Sequence, residues 1–184
     1  MAWYVKCIPN AYVQSIEEIP YKTLKEQGYT TLFFDLDNTI IGYDEQRVSD
    51  SHHALFKRLA QDFKLVIISN SHYKRVYEAV KDLNLPFVWH AKKPLKFGFK
   101  KALKLVSSST DKTVLIGDQL MTDVLGGNRM RFYTVLVRSV KRSSDRKITQ
   151  FNRKLEQHVL RSIQKNKPEL YQERLYDYVN DHDM

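Results

Sequence analysis

The chain has one cysteine among its 184 residues, Cys7, and a single thiol cannot form a disulfide within the chain. It also lacks any apolar run that approaches the roughly 20 residues needed to span a bilayer. The opening MAWYVKCIPNAYV contains no sustained apolar core of the kind found in secretory signal peptides. These absences argue against a disulfide-stabilised secreted domain and against an integral membrane protein. We therefore expect a cytoplasmic protein in a reducing setting.

Acidic residues are scarce in one part of the chain. The whole sequence carries 30 Lys and Arg against 21 Asp and Glu, which gives a net charge of +9. Between Arg138 and Lys167 there are ten basic and two acidic residues, so this segment accounts for +8 of that charge. The excess favours an anionic partner, either nucleic acid or an anionic lipid surface, and carries no information about the fold.

Apolar strands and amphipathic helices alternate along the chain. Strands are predicted at 31–36, 64–70, 87–91, 113–118 and 132–137, and helices at 50–63, 73–83, 95–106 and 121–130. This alternation is typical of a parallel sheet with helices on both faces. A length of 184 residues favours one domain with a sizeable core. We therefore predict an α/β fold with a central, mainly parallel sheet.

Polar residues end three of these strands. Asp35 and Asp37 follow the first strand in TLFFDLDNTI, Ser69 and Asn70 end KLVIISN, and Asp118 ends TVLIGD. Ligands bind outside the carboxyl ends of the strands in such sheets. A buried carboxylate is costly unless it is paired or coordinates a metal. The sequence therefore predicts one polar crevice at this edge of the sheet.

Four sequence blocks resemble, in order, the motifs of the haloacid dehalogenase (HAD) superfamily of aspartate-based phosphatases. The blocks are DLDNT, ISN, KKP followed by FKKAL, and GDQLMTD. The resemblance implies a three-layer Rossmannoid fold and hydrolysis of a phosphomonoester through an aspartyl-phosphate. The segments between the blocks leave no room for a cap domain. We therefore expect an open site that suits a macromolecule, a lipid head group, or a small metabolite enclosed by a second subunit.

The resemblance also implies a role for each residue of the motifs. Asp35 is the expected nucleophile, and Asp37 is expected to protonate the leaving alcohol and then to activate water. Lys93 is expected to place a cation beside the transferring phosphoryl group. Ser69 and the backbone N–H of Asn70 are expected to donate hydrogen bonds to the phosphoryl oxygens.

The expected cofactor is Mg²⁺, which prefers oxygen ligands and retains several waters. By the same resemblance its ligands are the Asp35 side chain, the Asp37 backbone carbonyl and the Asp118 carboxylate. Asp123 is expected to support the metal, directly or through water, and Thr39 to hold the loop after the first strand.

Two positions have alternatives in the sequence itself. Lys92 competes with Lys93 as the cation of the site, and we place Lys92 on the surface. Asp123 has a second interpretation as the cap of the helix that follows Thr122.

Three longer stretches resemble the YqeG family, a capless bacterial group of HAD subclass IIIA. They are IPNAYVQSIEEIPYKTLKEQGYTTLFFDLDNTI, AKKPLKFGFKKAL and GDQLMTDVLGGNRM, within a resemblance that covers about residues 8–160. The family is similar to the mitochondrial phosphatidylglycerophosphate phosphatases, which implies this phospholipid as the substrate. One departure is Arg131, where the family commonly has glycine. The arginine is either a surface change or an added basic group at the rim of the site.

Residues 147–163 are predicted to form a basic amphipathic helix. Its apolar face comprises Ile148, Phe151, Leu155, Val159 and Ile163, and the basic residues Lys147, Arg153, Lys154 and Arg161 lie largely elsewhere. Such a helix either packs its apolar face on the domain or lies at an anionic membrane surface. The two roles are compatible, because a helix packed on the domain can still present its basic residues to lipid.

The predicted domain organisation follows from these assignments. A HAD-like phosphatase domain spans 1–163, with an N-terminal segment 1–28, a catalytic core 29–140 and the basic helix 147–163. Residues 164–184 form a C-terminal tail.

The expected partners are a phosphomonoester substrate with a lipid head group and the anionic inner face of the membrane. Nucleic acid ranks lower as a partner, and an oligomer is compatible with the sequence. One alternative is a capless phosphatase for a soluble metabolite or a nucleic-acid phosphate, which the charge of +9 fits equally well. The other is a non-catalytic binding or scaffold protein, against which the intact Asp35, Asp37, Lys93 and Asp118 argue.

Overall fold

The structure is a computed structural model that describes residues 2–141 and 147–183. Its strands are β1 (Ala11–Val13), β2 (Thr31–Phe34), β3 (Lys64–Ile68), β4 (Phe87–Val88), β5 (Thr113–Gly117) and β6 (Tyr133–Val137). Its helices are α1 (Tyr21–Glu26), α2 (Asp50–Leu59), α3 (Tyr73–Val80), α4 (Lys96–Leu105), α5 (Leu125–Met130), α6 (Lys147–Asn166), α7 (Pro168–Arg174) and α8 (Tyr176–Asp183). A π-helical turn, Leu120–Val124, leads into α5.

Within the described residues, six parallel strands form one sheet in the order β1-β6-β5-β2-β3-β4. The prediction of a central parallel sheet is confirmed. β2 lies between β3 and β5, so that Phe33 is in register with Val66 on one side and Leu115 on the other. β1 is missing from the predicted strands because three residues are too few to show a periodic pattern.

Helices cover both faces of the sheet, which confirms the three-layer architecture. All four residues of β2 are buried. Phe34 packs edge-to-face on Phe56 of α2 at 5.1 Å between ring centroids, and α3 covers the same face. Phe33 points to the opposite face and packs on Phe132 at 5.6 Å, under α4.

A third cluster of buried residues joins the two ends of the chain. Cys7 from the N-terminal turn packs in this cluster with Val159 and Ile163 of α6. Burial raises the pKa of the Cys7 thiol to about 12, so this cysteine is a packing residue rather than a nucleophile. Leu175 and Tyr178 belong to the same cluster. The structure therefore has no boundary at residue 163, and residues of the expected tail are part of the folded unit.

The apolar face of α6 differs from the predicted one. Val159 and Ile163 are buried, but Phe151 and Leu155 are 56% and 41% exposed, and the side chain of Ile148 lies outside the described residues. The buried face instead continues through Glu156 and Thr149. Thr149 lines the cavity of the site described below, whereas Glu156 accepts a hydrogen bond from the Tyr178 hydroxyl. None of the described helices has the length and apolar character required to cross a membrane.

Two substitutions on α6 test this orientation. Ile163→Ala should lower the free energy of unfolding by about 2–5 kcal/mol, because Ile163 is fully buried. Phe151→Ala should change it by less than about 0.5 kcal/mol, because most of that ring is in solvent. Urea denaturation of both variants gives the comparison. Equal losses of unfolding free energy in the two variants would contradict the orientation of α6.

Arg131 follows α5 with a left-handed backbone, φ 64° and ψ 31°. Glycine adopts this conformation without cost, whereas other L residues are strained by about 1 kcal/mol or more. The backbone therefore accounts for glycine as the common residue at this position.

Arg131→Gly should raise the free energy of unfolding by about 1 kcal/mol, because glycine relieves this strain. Asn84 is also left-handed, with φ 54°, and asparagine tolerates that region better. Asn84→Gly is therefore the control, with a smaller expected gain in the same denaturation experiment. A loss of stability in Arg131→Gly would mean that contacts of the arginine side chain outweigh its backbone strain.

Candidate active site

The carboxyl ends of β2, β3 and β5 converge on one group of polar side chains. Asp35 and Asp37 follow β2, Ser69 follows β3, and Asp118 follows β5. The Asp35 N–H donates to the carbonyl of Ile116 on β5 at 2.9 Å, which extends the sheet up to the site. The structure thus brings together the residues that the sequence placed at three strand ends.

Lys93 lies at the centre of this group. Its Nζ is 2.6 Å from Asp35 Oδ1 and 2.6 Å from Asp123 Oδ1, and all three side chains are buried. Asn70 fixes the backbone of Lys93, because its Oδ1 accepts from the Lys93 N–H at 2.7 Å and its Nδ2 donates to the Lys93 carbonyl at 3.1 Å. Lys92 is exposed, so Lys93 is the lysine of the site.

Carboxylate oxygens of Asp35, Asp118 and Asp123 lie within 4.8 Å of one another, and all three residues are buried. Asp123 is held by the π-helical turn, where its Oδ2 accepts from the Gln119 N–H at 3.2 Å. A Cβ at Gly117 would collide with the Asp123 side chain, which explains the glycine at the end of β5. Three hard oxygen donors around one point fit a divalent cation such as Mg²⁺.

The buried charges shift each other's protonation equilibria. Burial raises the pKa of Asp35 well above its ordinary value, with Lys93 opposing the shift and Asp123 adding to it. Burial likewise raises the pKa of Asp123, again against the effect of Lys93. Burial disfavours the Lys93 ammonium, but Asp123 and Asp35 outweigh it and raise the pKa of Lys93. Lys93 and Arg153, the latter paired with Asp118 at 2.7 Å, supply two positive charges against three carboxylates, so a bound cation would complete the charge balance.

Donors from the end of β3 and the start of α3 surround the Asp37 carboxylate. Its Oδ2 accepts from Ser71 Oγ at 2.7 Å and from Ser69 Oγ at 3.2 Å, and its Oδ1 accepts from Arg75 Nε at 3.0 Å. Arg75 Nη2 also donates to the Gly42 carbonyl at 2.9 Å. Arg75 therefore fixes both Asp37 and the loop that follows it.

Arg75 is absent from the residues inferred from the sequence. It lies in the first turn of α3, where the positive end of the helix dipole disfavours a cation. Lys74 shares this unfavourable position, so the sequence contains no signal that singles out Arg75.

α6 contributes a second unpredicted arginine. Arg153 Nη2 donates to Asp118 Oδ2 at 2.7 Å and to Ser139 Oγ at 3.2 Å. Thr39 Oγ1 reaches the other oxygen of Asp118 at 3.5 Å. Thr149 and Asn152 of the same helix line the cavity that contains Asp35 and Asp37, which has a volume of about 390 Å³. α6 thus forms a wall of a site that the sequence suggested was open.

Comparison with known proteins identifies the family. The family model described as mitochondrial PGP phosphatase matches residues 3–141, which is most of the chain. The chain belongs to this family. It is 35% identical over 159 residues to the probable phosphatase YqeG of Bacillus subtilis (strain 168), a match that covers 86% of this chain and 92% of that protein. The prediction of a HAD-type phosphatase is confirmed.

Two further proteins extend the comparison. The chain is 23% identical over 164 residues to phosphatidylglycerophosphate phosphatase 1 of Arabidopsis thaliana, covering 84% of this chain and 47% of the plant protein. Among solved structures it resembles YfnB of Bacillus subtilis, assigned as a HAD hydrolase and bound to magnesium. The TM-score is 0.51 at 18% identity, with 59% of this chain and 86% of that chain covered. This likeness concerns the fold.

Proposed function

We propose that this phosphatase removes the terminal phosphate of phosphatidylglycerophosphate, with Asp35 as the nucleophile. The observation that carries the proposal is the buried group of Asp35, Lys93, Asp118 and Asp123, in a chain that matches the PGP phosphatase family over residues 3–141. The name of the plant relative points to the same substrate.

In the first step an oxygen of the Asp35 carboxylate attacks the phosphorus of the monoester. A bond forms between Asp35 and phosphorus while the bond from phosphorus to the ester oxygen breaks. A protonated Asp37 gives its proton to that oxygen, so that phosphatidylglycerol leaves with a neutral hydroxyl in place of the phosphate. The enzyme is left with an aspartyl-phosphate on Asp35 and with an ionised Asp37.

In the second step water hydrolyses the aspartyl-phosphate. Asp37 accepts a proton from the water as its oxygen bonds to phosphorus, and the bond between phosphorus and Asp35 breaks. Inorganic phosphate is released, Asp35 is again a carboxylate, and Asp37 is again protonated. Splitting a difficult hydrolysis in this way gives two easier reactions.

The other polar residues of the site position the reacting groups. Lys93 would place positive charge beside the phosphoryl oxygens. Ser69 and the backbone N–H of Asn70 would donate to the same oxygens, and Thr39 would hold the loop after β2.

Asp35, Asp118, Asp123 and the backbone carbonyl of Asp37 would hold Mg²⁺. When bound, the cation would offset the repulsion between the anionic nucleophile and the anionic phosphate.

The lipid substrate places the enzyme at a membrane surface, so we propose a cytoplasmic protein at the inner face of the membrane. The alternative substrate is a soluble or nucleic-acid phosphate, which the net charge of +9 favours equally. A non-catalytic scaffold predicts instead that the cellular role survives Asp35→Asn.

Trapping the phosphoenzyme tests the proposal. Wild-type protein is mixed with Mg²⁺ and phosphatidylglycerophosphate in detergent micelles, quenched in acid and digested for mass spectrometry. The peptide that contains Asp35 should carry one added phosphoryl group. A phosphoryl group found on another residue, or rapid turnover of this lipid in Asp35→Asn, would refute the assigned nucleophile.

Arg75→Met should lower kcat by about 10- to 100-fold, because small misplacements of a catalytic group are costly. Arg75 contacts Asp37 rather than the cavity, so KM should change less than kcat. The measurement is steady-state hydrolysis of a soluble phosphomonoester, with thermal unfolding recorded in parallel. Arg75→Lys retains a cation without the guanidinium geometry, so its kcat should lie between that of wild type and that of Arg75→Met. An unchanged kcat in Arg75→Met would contradict the positioning role.

A further inference from the structure

An exposed group of aromatic rings lies where α3 meets the edge strand β4. Tyr73 and Tyr77 stack at 5.6 Å between ring centroids. Tyr73 also contacts Phe87 at 5.8 Å and Trp89 at 5.9 Å. Tyr73, Tyr77 and Trp89 are 49%, 41% and 39% exposed. Contiguous exposed apolar surface of this kind marks an interaction site more often than scattered exposed residues do.

The aromatic surface continues onto α4. Lys101 Nζ lies 5.8 Å from the centroid of the Trp89 ring, which joins the helix to the cluster. Phe97 precedes Lys101 by four residues, so both are on the same face of α4. Phe97 is 67% exposed and Leu95, just before the helix, is 51% exposed.

The same surface is strongly basic. Residues 89–104 contain six lysines and no acidic residue. Lys93 is buried in the active site, and the other five are exposed: Lys92, Lys96, Lys100, Lys101 and Lys104. On α3, Lys74 is exposed, and the acidic Glu78 is paired with Lys81 at 2.8 Å. This basic segment is separate from the one between Arg138 and Lys167.

The chain segments that carry this surface also contribute residues to the lining of the active-site cavity. Ser71 and Pro94 both line the cavity. Tyr73 lies two residues after Ser71, and Phe97 lies three residues after Pro94. The His90 N–H donates to the Ser71 carbonyl at 2.9 Å, which ties the segment after β4 to the start of α3.

We propose that this surface binds an anionic lipid bilayer and presents the cavity to it. We call it the docking face and define it by Tyr73, Tyr77, Phe87, Trp89, Phe97 and the five exposed lysines of residues 89–104. Tyrosine and tryptophan partition to the water–lipid interface, and each lysine near an anionic surface adds attraction. The proposal rests on the proposed function, since a phosphate on a membrane lipid reaches Asp35 when the cavity faces the bilayer.

Two observations favour a bilayer over nucleic acid. Leu95, next to the docking face, is 51% exposed and offers a nucleotide neither a polar group nor a ring on which a base could stack. Tyr73, Tyr77 and Trp89 combine an apolar body with a polar tip suited to the head-group layer.

Vesicle co-sedimentation with two matched double variants tests the docking face. Phe97→Ser with Lys100→Glu alters this face, and Phe151→Ser with Lys154→Glu makes the same change on exposed residues of α6. The first variant should bind phosphatidylglycerol/phosphatidylcholine vesicles at least about tenfold more weakly than wild type. The second should bind within about threefold of wild type. Equal losses, or a larger loss from the α6 variant, would overturn the assignment.

Trp89 provides a direct signal. In a Trp3→Phe background Trp89 is the remaining tryptophan of the chain. Its emission should shift to shorter wavelength on addition of phosphatidylglycerol vesicles and stay unchanged with phosphatidylcholine alone. No shift at vesicle concentrations that bind the protein would overturn the proposal.

Two controls separate this proposal from the proposed function. Asp35→Asn should bind vesicles like wild type, and the docking-face variant should hydrolyse a soluble phosphomonoester at the wild-type rate. If wild type binds vesicles through this face but does not hydrolyse phosphatidylglycerophosphate, the substrate is wrong and the docking face stands. If vesicle binding is absent and the docking-face variant instead loses single-stranded RNA binding in gel shifts at matched salt, the bilayer is the wrong partner.

Discussion

Asp35→Asn should reduce phosphate release by at least about 10⁴-fold, the scale seen when a covalent nucleophile is removed. The amide has nearly the same shape as the carboxylate but does not attack phosphorus. The fold should persist, because burial and the neighbouring Asp123 already disfavour the ionised form of Asp35. The measurement is Mg²⁺-dependent phosphate release from a soluble phosphomonoester, with circular dichroism of both proteins.

Asp111→Asn is the matched control for this substitution. Asp111 is exposed in the turn before β5, so its replacement should leave turnover within about twofold of wild type. A folded Asp35→Asn protein that keeps more than a few per cent of wild-type turnover would contradict the assignment of Asp35.

Lys93→Met should lower the free energy of unfolding by about 3–5 kcal/mol, measured by urea denaturation without divalent cation. The lysine bridges Asp35 and Asp123 in a fully buried setting, and removal of one partner leaves buried charge without compensation. Lys92→Met is the control, because Lys92 is the exposed neighbour, and its stability should change by less than about 0.5 kcal/mol. A Lys93→Met protein as stable as wild type would show that the carboxylates do not depend on the lysine.

The same variant should have a characteristic pH dependence. In the folded protein the pKa of Asp35 and that of Asp123 are both raised, so the folded state binds more protons than the unfolded state above about pH 4. Each such group loses its stabilising contribution as pH rises through its folded pKa. Without Lys93 these values rise further, so the stability of Lys93→Met should fall more steeply with pH than that of wild type. A parallel pH dependence in the two proteins would contradict this.

The position of the site could be predicted because the carboxyl ends of parallel strands lie at the same edge of the sheet. Asp35, Ser69 and Asp118 each follow a run of apolar residues, and the topology of the fold brings such strand ends together. Lys93 and Asp123 were identified by resemblance to the family motifs, and the structure places both beside Asp35. Their catalytic roles stay predictions.

The arginines of the site were not predictable in the same way. Arg75 reaches Asp37, and Arg153 reaches Asp118, from helices that are distant in sequence. The positions of the two arginines on their helices are equally typical of surface residues. α6 illustrates the reason. Hydrophobic periodicity assumes that the buried face is apolar. The buried face of α6 also contains Thr149, which lines the active-site cavity, and Glu156, which accepts from Tyr178.

The docking face escaped prediction for a related reason. Tyr73 and Tyr77 repeat with helical spacing, and Phe87 and Trp89 alternate in the predicted strand 87–91. Both patterns resemble those of ordinary core-facing residues. That they share one exposed surface depends on the contact between α3 and β4, which is a tertiary feature.

The most direct test of the central claim is phosphate release from phosphatidylglycerophosphate in detergent micelles with Mg²⁺. A panel of soluble phosphomonoesters runs beside it, with Asp35→Asn as the blank. The proposed function predicts that kcat/KM for the lipid exceeds that for every soluble ester by more than about 100-fold, since remote binding energy contributes at the reacting centre. Metal-dependent hydrolysis of soluble esters, together with no hydrolysis of the lipid, would contradict the proposed lipid substrate. The proposed phosphatase chemistry would still stand.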